Sequence, residues 1–289
     1  MATAGLRRRR GALVALSACL VLAVAGCSGG SKPTDRSPQV LKASDGYENA
    51  VIKDGAAGLW SLRDATGLTA RDEVADLTGA KASATVIGGA IGETTGPTGQ
   101  PAAQFNRSGR IVTPVSSGLS SSDAFSIELD LRADRCVTAW GRVLGTTSLP
   151  KSGREGFELL HFPKQFQTSP CKFGVEFWHL NNYLGGCHPK TVPTVGVWSH
   201  WSVVYAAGKV SCYAGGVLFD ANRLTAPARF SQLGPLGIGG SGSGFQGPLD
   251  GASIGEVAFY KRALTPAEVL AHARLAAAHG IATPTPTRS

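Results

Sequence analysis

The segment Phe125-Ser126-Ile127-Glu128-Leu129-Asp130-Leu131-Arg132 alternates apolar and polar residues without a break. A period of two belongs to a strand with one face on a core, so Phe125, Ile127, Leu129 and Leu131 are predicted to point inward. Comparable runs recur on either side, at Phe157 to Phe162, Lys172 to His179, Trp198 to Ala206, Val210 to Phe219, Leu236 to Gly239 and Ala252 to Tyr260, with Gly, Pro, Ser and Asn clusters between them. Strands at this spacing predict an all-β fold, a two-sheet antiparallel sandwich. Thr265-Pro266-Ala267-Glu268 supplies a capping box with proline at the first helical position, and Gly280 stops the pattern. One short C-terminal helix is therefore predicted from Pro266 to His279.

Composition points the same way. The 289 residues include 38 Gly, 16 Pro and one Met, and only 17% are charged, unlike the Ala-, Glu-, Lys-, Leu- and Arg-rich make-up of a bundle or coiled coil. The formal net charge is +8, but residues 1–26 hold four arginines and no acid, which leaves +4 on the rest. That remainder is scattered and carries no aromatic-basic motif of the RNA-binding kind, so nucleic acid is not an indicated partner.

Arg7 to Arg10, the uncharged apolar stretch from Gly11 to Gly26 and then Cys27 follow the order of a secretory leader. The apolar run falls short of the roughly 20 residues that a permanent transmembrane helix needs. Leu22-Ala23-Val24-Ala25-Gly26-Cys27 resembles the lipobox of bacterial lipoproteins. That resemblance implies a signal peptide over 1–26, a diacylglyceryl thioether on Cys27, and attachment to the cell membrane on its extracytoplasmic face, with palmitate-type acyl chains as the anchor. Residues 27–46 then read as a flexible tether, 47–280 as the folded domain, and 281–289, with its Thr-Pro repeats, as a polar tail.

Cys19 leaves with the leader and Cys27 is committed to lipid, so Cys136, Cys171, Cys187 and Cys212 remain. An even set in an oxidising compartment predicts two disulfides, with three connectivities open. The preferred pairing is Cys171 with Cys187 and Cys136 with Cys212. It requires a loose turn around Asn181-Asn182, because a tight hairpin there would put Cys171 opposite Val192. Zinc has only the adjacent Cys187-His188 in its favour and no Cys-x-x-Cys spacing.

Three blocks near the domain's start are Gly58-Leu59-Trp60-Ser61-Leu62-Arg63-Asp64, Asp76-Leu77-Thr78-Gly79 and Phe105-Asn106-Arg107-Ser108-Gly109-Arg110-Ile111-Val112. Later blocks are Phe125 to Arg132, Val197 to Tyr205, Tyr213-Ala214-Gly215-Gly216, Phe245-Gln246-Gly247 and Glu256 to Thr265. In this order they resemble the laminin G-like domains of bacteria, with Tyr260-Lys261-Arg262-Ala263-Leu264-Thr265 before a helix as the most specific block. The resemblance implies a concanavalin A-like jelly roll whose relatives bind sugars, proteins or calcium. The chain departs from the family pattern at Gly215-Gly216, Gly255 and Asn106, where carboxylates are frequent, so calcium is doubtful. Asp76, Asp220 and Asp250 are the remaining candidate ligands, each also a natural turn residue.

Glu128 and Asp130 resemble the paired carboxylates of jelly-roll glucanases, but the positions where the second glutamate belongs hold Arg132 and Ala133. Asp134, the next acid, lies about 20 Å along the strand from Glu128 at roughly 3.3 Å per residue, whereas retaining glycosidases need carboxyls about 5–5.5 Å apart. The plain alternative is a solvated polar face balanced by Arg132. Gly237 to Gly242 matches a phosphate-loop string with no helix after it, and no Gly-x-Ser-x-Gly nucleophile motif is present. Trp60, Trp198, Phe259 and Tyr260 read as core. Trp140, Trp178 and Tyr183, at strand ends and in the central hairpin, are the candidates for stacking on a sugar.

The expectation is thus a non-catalytic, membrane-held module that binds a carbohydrate or an envelope protein. A degenerate hydrolase using Glu128 and Asp130, and a purely structural surface protein, are the alternatives.

Overall fold

The alternation at Phe125 is realised in a ten-residue strand, and everything else is arranged around it. A computed structural model describes residues 46–65, 73–74, 76–78, 83–107, 109–114, 124–147, 153–163, 171–189, 194–226, 235–241 and 249–278. The leader, Cys27, the tether up to 45 and the tail 281–289 lie outside the described residues.

In chain order the elements are α1 (Gly46–Lys53), β1 (Gly58–Trp60), β2 (Glu73–Val74), β3 (Ala84–Gly88), β4 (Gly92–Thr95), β5 (Pro101–Asn106), β6 (Gly109–Thr113), β7 (Ala124–Ala133) and β8 (Gly141–Gly145). They continue with β9 (Gly156–His161), β10 (Phe173–His179), β11 (Asn182–Cys187), β12 (Ser199–Ala206), β13 (Lys209–Ala214), β14 (Val217–Arg223), β15 (Leu236–Ile238), β16 (Asp250–Tyr260) and α2 (Pro266–Ala277). The run predicted at Val210 to Phe219 is two strands, because Gly215 and Gly216 both adopt positive φ and turn the chain.

Two antiparallel sheets result. The first runs β14-β13-β12-β7-β16-β5-β4, with β1 also paired to β16, and the second runs β11-β10-β9-β8-β15-β6-β3-β2. Strand β16 serves three neighbours by length: its first half pairs with β5, its last residues pair with β1, and β7 follows it past an irregularity between Ile254 and Val257. Phe125, Ile127, Leu129 and Leu131 of β7 are fully buried and meet Phe157, Leu159, Phe173, Val175 and Phe177 of the second sheet in one core. Burying each such side chain contributes roughly 1.5–3 kcal/mol. Trp60, Trp198, Phe259 and Tyr260 are also buried, as the sequence suggests.

Among the described residues there are two helices rather than the one expected. Both α1 and α2 lie on the outer face of the first sheet, where Tyr47, Val51, Val269 and Ala276 pack with Val204, Tyr213, Ala258 and Tyr260 in a second apolar cluster. Helix α2 has the predicted cap, with Thr265 and Glu268 satisfying each other's backbone N–H groups. It comes so close to the sheet that a Cβ on Gly216 would lie 3.0 Å from Ala273 Cβ and Leu270 Cδ1.

The expected disulfide pairing is overturned. Cys136 is bonded to Cys171 and Cys187 to Cys212. Leu180 and Asn181 both take left-handed φ and close a tight β10–β11 hairpin, which places Cys187 opposite Val175, far along the strand from Cys171. Cys187 then faces across the sandwich to Cys212 on β13 and ties the two sheets together at one edge.

Candidate functional site

On the outer face of the first sheet, Glu128 and Asp130 are not solvated, and Arg132 does not balance them. Residues 128 and 130 point away from the core because 127, 129 and 131 point into it, but α1 and α2 cover that face. Glu128 is 0% and Asp130 3% exposed. Arg132 instead pairs with Asp134 at 2.7 Å and lies over the Trp198 ring.

The covered acids are held by imidazoles from distant parts of the chain. His200 Nδ1 donates to Asp130 Oδ1 at 2.8 Å, and its Nε2 faces Glu128 Oε1 at 3.6 Å. His272 of α2 donates from Nδ1 to Glu128 Oε2 at 2.7 Å and from Nε2 to Asp54 Oδ2 at 3.0 Å. Ser202 and Tyr260 hydroxyls also donate to Glu128, each at 3.1 Å. Burial alone would raise the Glu128 pKa, but the hydrogen bonds from His200 and His272 reverse this and hold it at about 2. Burial likewise opposes a charge on His200, yet the bonds to Asp130 and Glu128 raise it to about 9. His272 is raised by Glu128 and Asp54 against the same burial penalty. This is a charged clamp between sheet and helices, closed to any polymeric substrate. Both carboxylates considered for hydrolysis lie buried within it.

The candidate calcium ligands do not converge. Asp76 accepts from Leu59 N, Thr78 N and the Thr78 hydroxyl. Asp250 is bridged by Arg107 and Arg135, and Asp220 accepts from His188 N at 2.8 Å. Each faces donors, and among the described residues no group of three or more His, Cys, Asp or Glu side chains is placed to hold a metal ion.

The aromatic candidates fall on the outer face of the second sheet. Phe157, Leu159, Phe173, Val175 and Phe177 point into the core, so Glu158, Glu176 and Trp178 point outward. Tyr183 is paired with Trp178 across β10 and β11 and shares that side. Trp178 and Tyr183 have ring centroids 5.5 Å apart, Tyr183 and His188 6.4 Å, His188 and Phe162 5.7 Å, and Phe162 and Trp140 4.9 Å. Trp140, Trp178 and Tyr183 therefore belong to one ribbon of rings. Trp140 is 40% and Tyr183 44% exposed, and Phe162 forms a buried floor between them. The Tyr183 hydroxyl and His188 Nε2 are hydrogen-bonded at 2.8 Å, which fixes both rings.

Sequence reasoning missed Phe162 and His188. Their signal was parity: each lies two residues beyond an outward-facing strand position, Leu160 and Gly186. It also missed the charged group beside Trp178. Glu158 and Glu176 sit directly opposite each other on β9 and β10. Arg142 bonds Glu158, Arg154 bridges Glu158 and Glu176, and Arg154 stacks on Trp178. Burial lowers both guanidinium pKa values to about 10, so both remain charged at neutral pH.

The family profile described as the concanavalin A-like lectin/glucanases superfamily matches residues 105–270. No curated protein matches the sequence. Among solved structures, domain 4 of AbnA, a GH43 extracellular arabinanase from Geobacillus stearothermophilus in complex with arabinotriose, aligns with a TM-score of 0.55 at 20% identity. The alignment covers 75% of this chain and 98% of that one. The binding domain of Paraclostridial Mosquitocidal Protein 1 aligns with a TM-score of 0.58 at 11% identity, over 77% of this chain and 52% of that one. A Trypanosoma rangeli sialidase mutant displaying trans-sialidase activity aligns with a TM-score of 0.56 at 15% identity, over 80% of this chain and 34% of that one. The chain thus spans about half of the second structure and a third of the third. At these identities the likeness is one of fold.

Proposed function

Because the chain belongs to the concanavalin A-like lectin/glucanase superfamily, we propose that it is a non-catalytic carbohydrate-binding module that uses the aromatic ribbon on its second sheet. The observation that carries this reading is the continuous line from Trp140 through Phe162 and His188 to Tyr183, with an exposed ring at each end. Flat apolar rings bordered by hydrogen-bonding groups match the alternating apolar faces and hydroxyl edges of sugars. The arabinanase domain, solved with arabinotriose, adds support at the level of fold. The same reading places the module outside the cell, held at the membrane by acyl chains on Cys27, with an envelope or extracellular glycan as its partner. The hydrolase alternative loses its motive with the burial of Glu128 and Asp130.

The test is titration of the protein against a glycan array. Saturable binding that falls at least about tenfold in Trp140→Ala and in Tyr183→Ala, with the fold intact by circular dichroism, supports the proposal. Binding that survives both substitutions refutes the assigned surface.

A further inference from the structure

We infer that Arg154 is the specificity-determining residue of this face: it caps Trp178 and ends the sugar-contacting surface at Tyr183. The inference rests on the carbohydrate reading above and adds to it where the ligand stops. The Arg154 guanidinium carbon lies 3.9 Å from the centroid of the Trp178 ring. That is the separation at which a stacked sugar carbon would sit, so the covered ring face has no room for a ligand unless Arg154 leaves.

Several contacts oppose its leaving. The backbone of Arg154 is fastened to the hairpin tip, donating from N to Asn181 Oδ1 at 2.7 Å and accepting at O from Asn181 N at 3.1 Å. Gly153 makes this close approach possible: it has φ +122°, and a Cβ there would lie 2.5 Å from Asn181 Nδ2. The side chain is only 16% exposed and bridges Glu158 and Glu176, the cross-strand carboxylate pair. Trp178 is fixed from the other direction, its Nε1 donating to Glu176 Oε2 at 3.1 Å. Removing Arg154 would leave two carboxylates short of a partner, one of them fully buried, so the cap is a permanent part of the surface.

The cap also sets the chemistry of this end. The guanidinium charge is spent on Glu158 and Glu176, so it offers no net positive field to an acidic sugar. Ligand units here are recognised by stacking on Tyr183 and by hydroxyl hydrogen bonds, which suits an uncharged saccharide.

The experiment uses the full-length protein, Arg154→Ala, and Arg154→Lys as a milder variant that keeps a cation against Glu158 but cannot lie flat on the indole. For the quenching measurement alone, each is also made in a Trp140→Phe background, so that acrylamide quenching of fluorescence reports mainly on Trp178, the other three tryptophans being buried, while the saccharide titrations keep Trp140. Each protein is then titrated with arabino- and cello-oligosaccharides from the disaccharide to the hexasaccharide. The inference predicts stronger quenching in both variants. It also predicts a gain of about fivefold in affinity, confined to the longer oligosaccharides and abolished by adding Trp178→Phe.

Unchanged quenching overturns the cap. Increased quenching with no length-dependent gain overturns its role as an end-stop. Absence of binding of these oligosaccharides by every protein overturns the end-stop, the glycan array separately decides the carbohydrate reading, and quenching decides whether Arg154 covers the ring.

Discussion

Burying Glu128 is tolerable only because both of its oxygens face donors: Ser202 and His200 on one side, Tyr260 and His272 on the other. Removing one member of a buried ionic group leaves the others desolvated without compensation, which costs far more than losing an exposed pair. Glu128→Ala is therefore predicted to destabilise the domain by roughly 3–5 kcal/mol in urea unfolding. A loss below about 1 kcal/mol would mark the cluster as a surface-like pair. The neighbours of Glu128 explain why its role was illegible in the sequence. Alternation correctly turns residue 128 away from the core, but whether that side meets water depends on His200 and His272, which are 72 and 144 positions further on. Trp140, Trp178 and Tyr183 stood out as large aromatics at strand ends. Arg154 did not, because nothing local says that it lies on an indole.

At the scale of elements, the helix pair and the first sheet are joined by apolar packing and by the chain Asp54–His272–Glu128–His200–Asp130. Tyr47 adds its ring edge-on to both imidazoles, 5.3 Å from His200 and 6.1 Å from His272. The pH dependence of this join has a definite sign. His200 rises from 6.5 unfolded to about 9 folded, so its contribution is full below 6.5 and lost as pH climbs through 9. Glu128 falls from 4.5 to about 2, so its contribution is full above 4.5 and lost as pH drops through 2. The join is tightest between pH 4.5 and 6.5. Hydrogen exchange of the α2 amides is predicted to accelerate, relative to intrinsic rates, from pH 6.5 towards 9, and this rise should be blunted in His200→Asn. A flat profile would mean that the helices are held by apolar contacts alone. Helix α2 was legible because its cap is written in Thr265 to Glu268. Helix α1 was not, because eight residues make a stable helix only when a neighbour supplies packing.

For the whole molecule, the sandwich separates two surfaces. The helices and the entry of the chain at Gly46 lie on the first sheet, whereas the aromatic ribbon lies on the outer face of the second. Gly46, the first described residue, thus lies on the side opposite the proposed binding face. Cys27→Ser is predicted to release the protein from membranes into the medium, and the wild-type N-terminal peptide should carry diacylglycerol by mass spectrometry. An unacylated peptide would remove the tether.

The two disulfides hold this architecture at one side, each closing a loop worth about 3–4 kcal/mol in the chain-entropy model. Peptide mapping should recover Cys136 with Cys171 and Cys187 with Cys212. The strands and their sandwich were readable from period-two runs, but the cysteine pairing was not. Pairing depends on which sheet each strand joins and on a tight turn at Leu180-Asn181, and both are tertiary facts.

The most direct measurement is an NMR titration that follows the indole N–H signals of all five tryptophans as a saccharide selected on the glycan array is added. The account predicts that the Trp140 signal moves in a saturable way while those of the buried Trp60, Trp198 and Trp201 stay still. Movement confined to the buried tryptophans, or a saturating ligand that leaves Trp140 untouched, would contradict it.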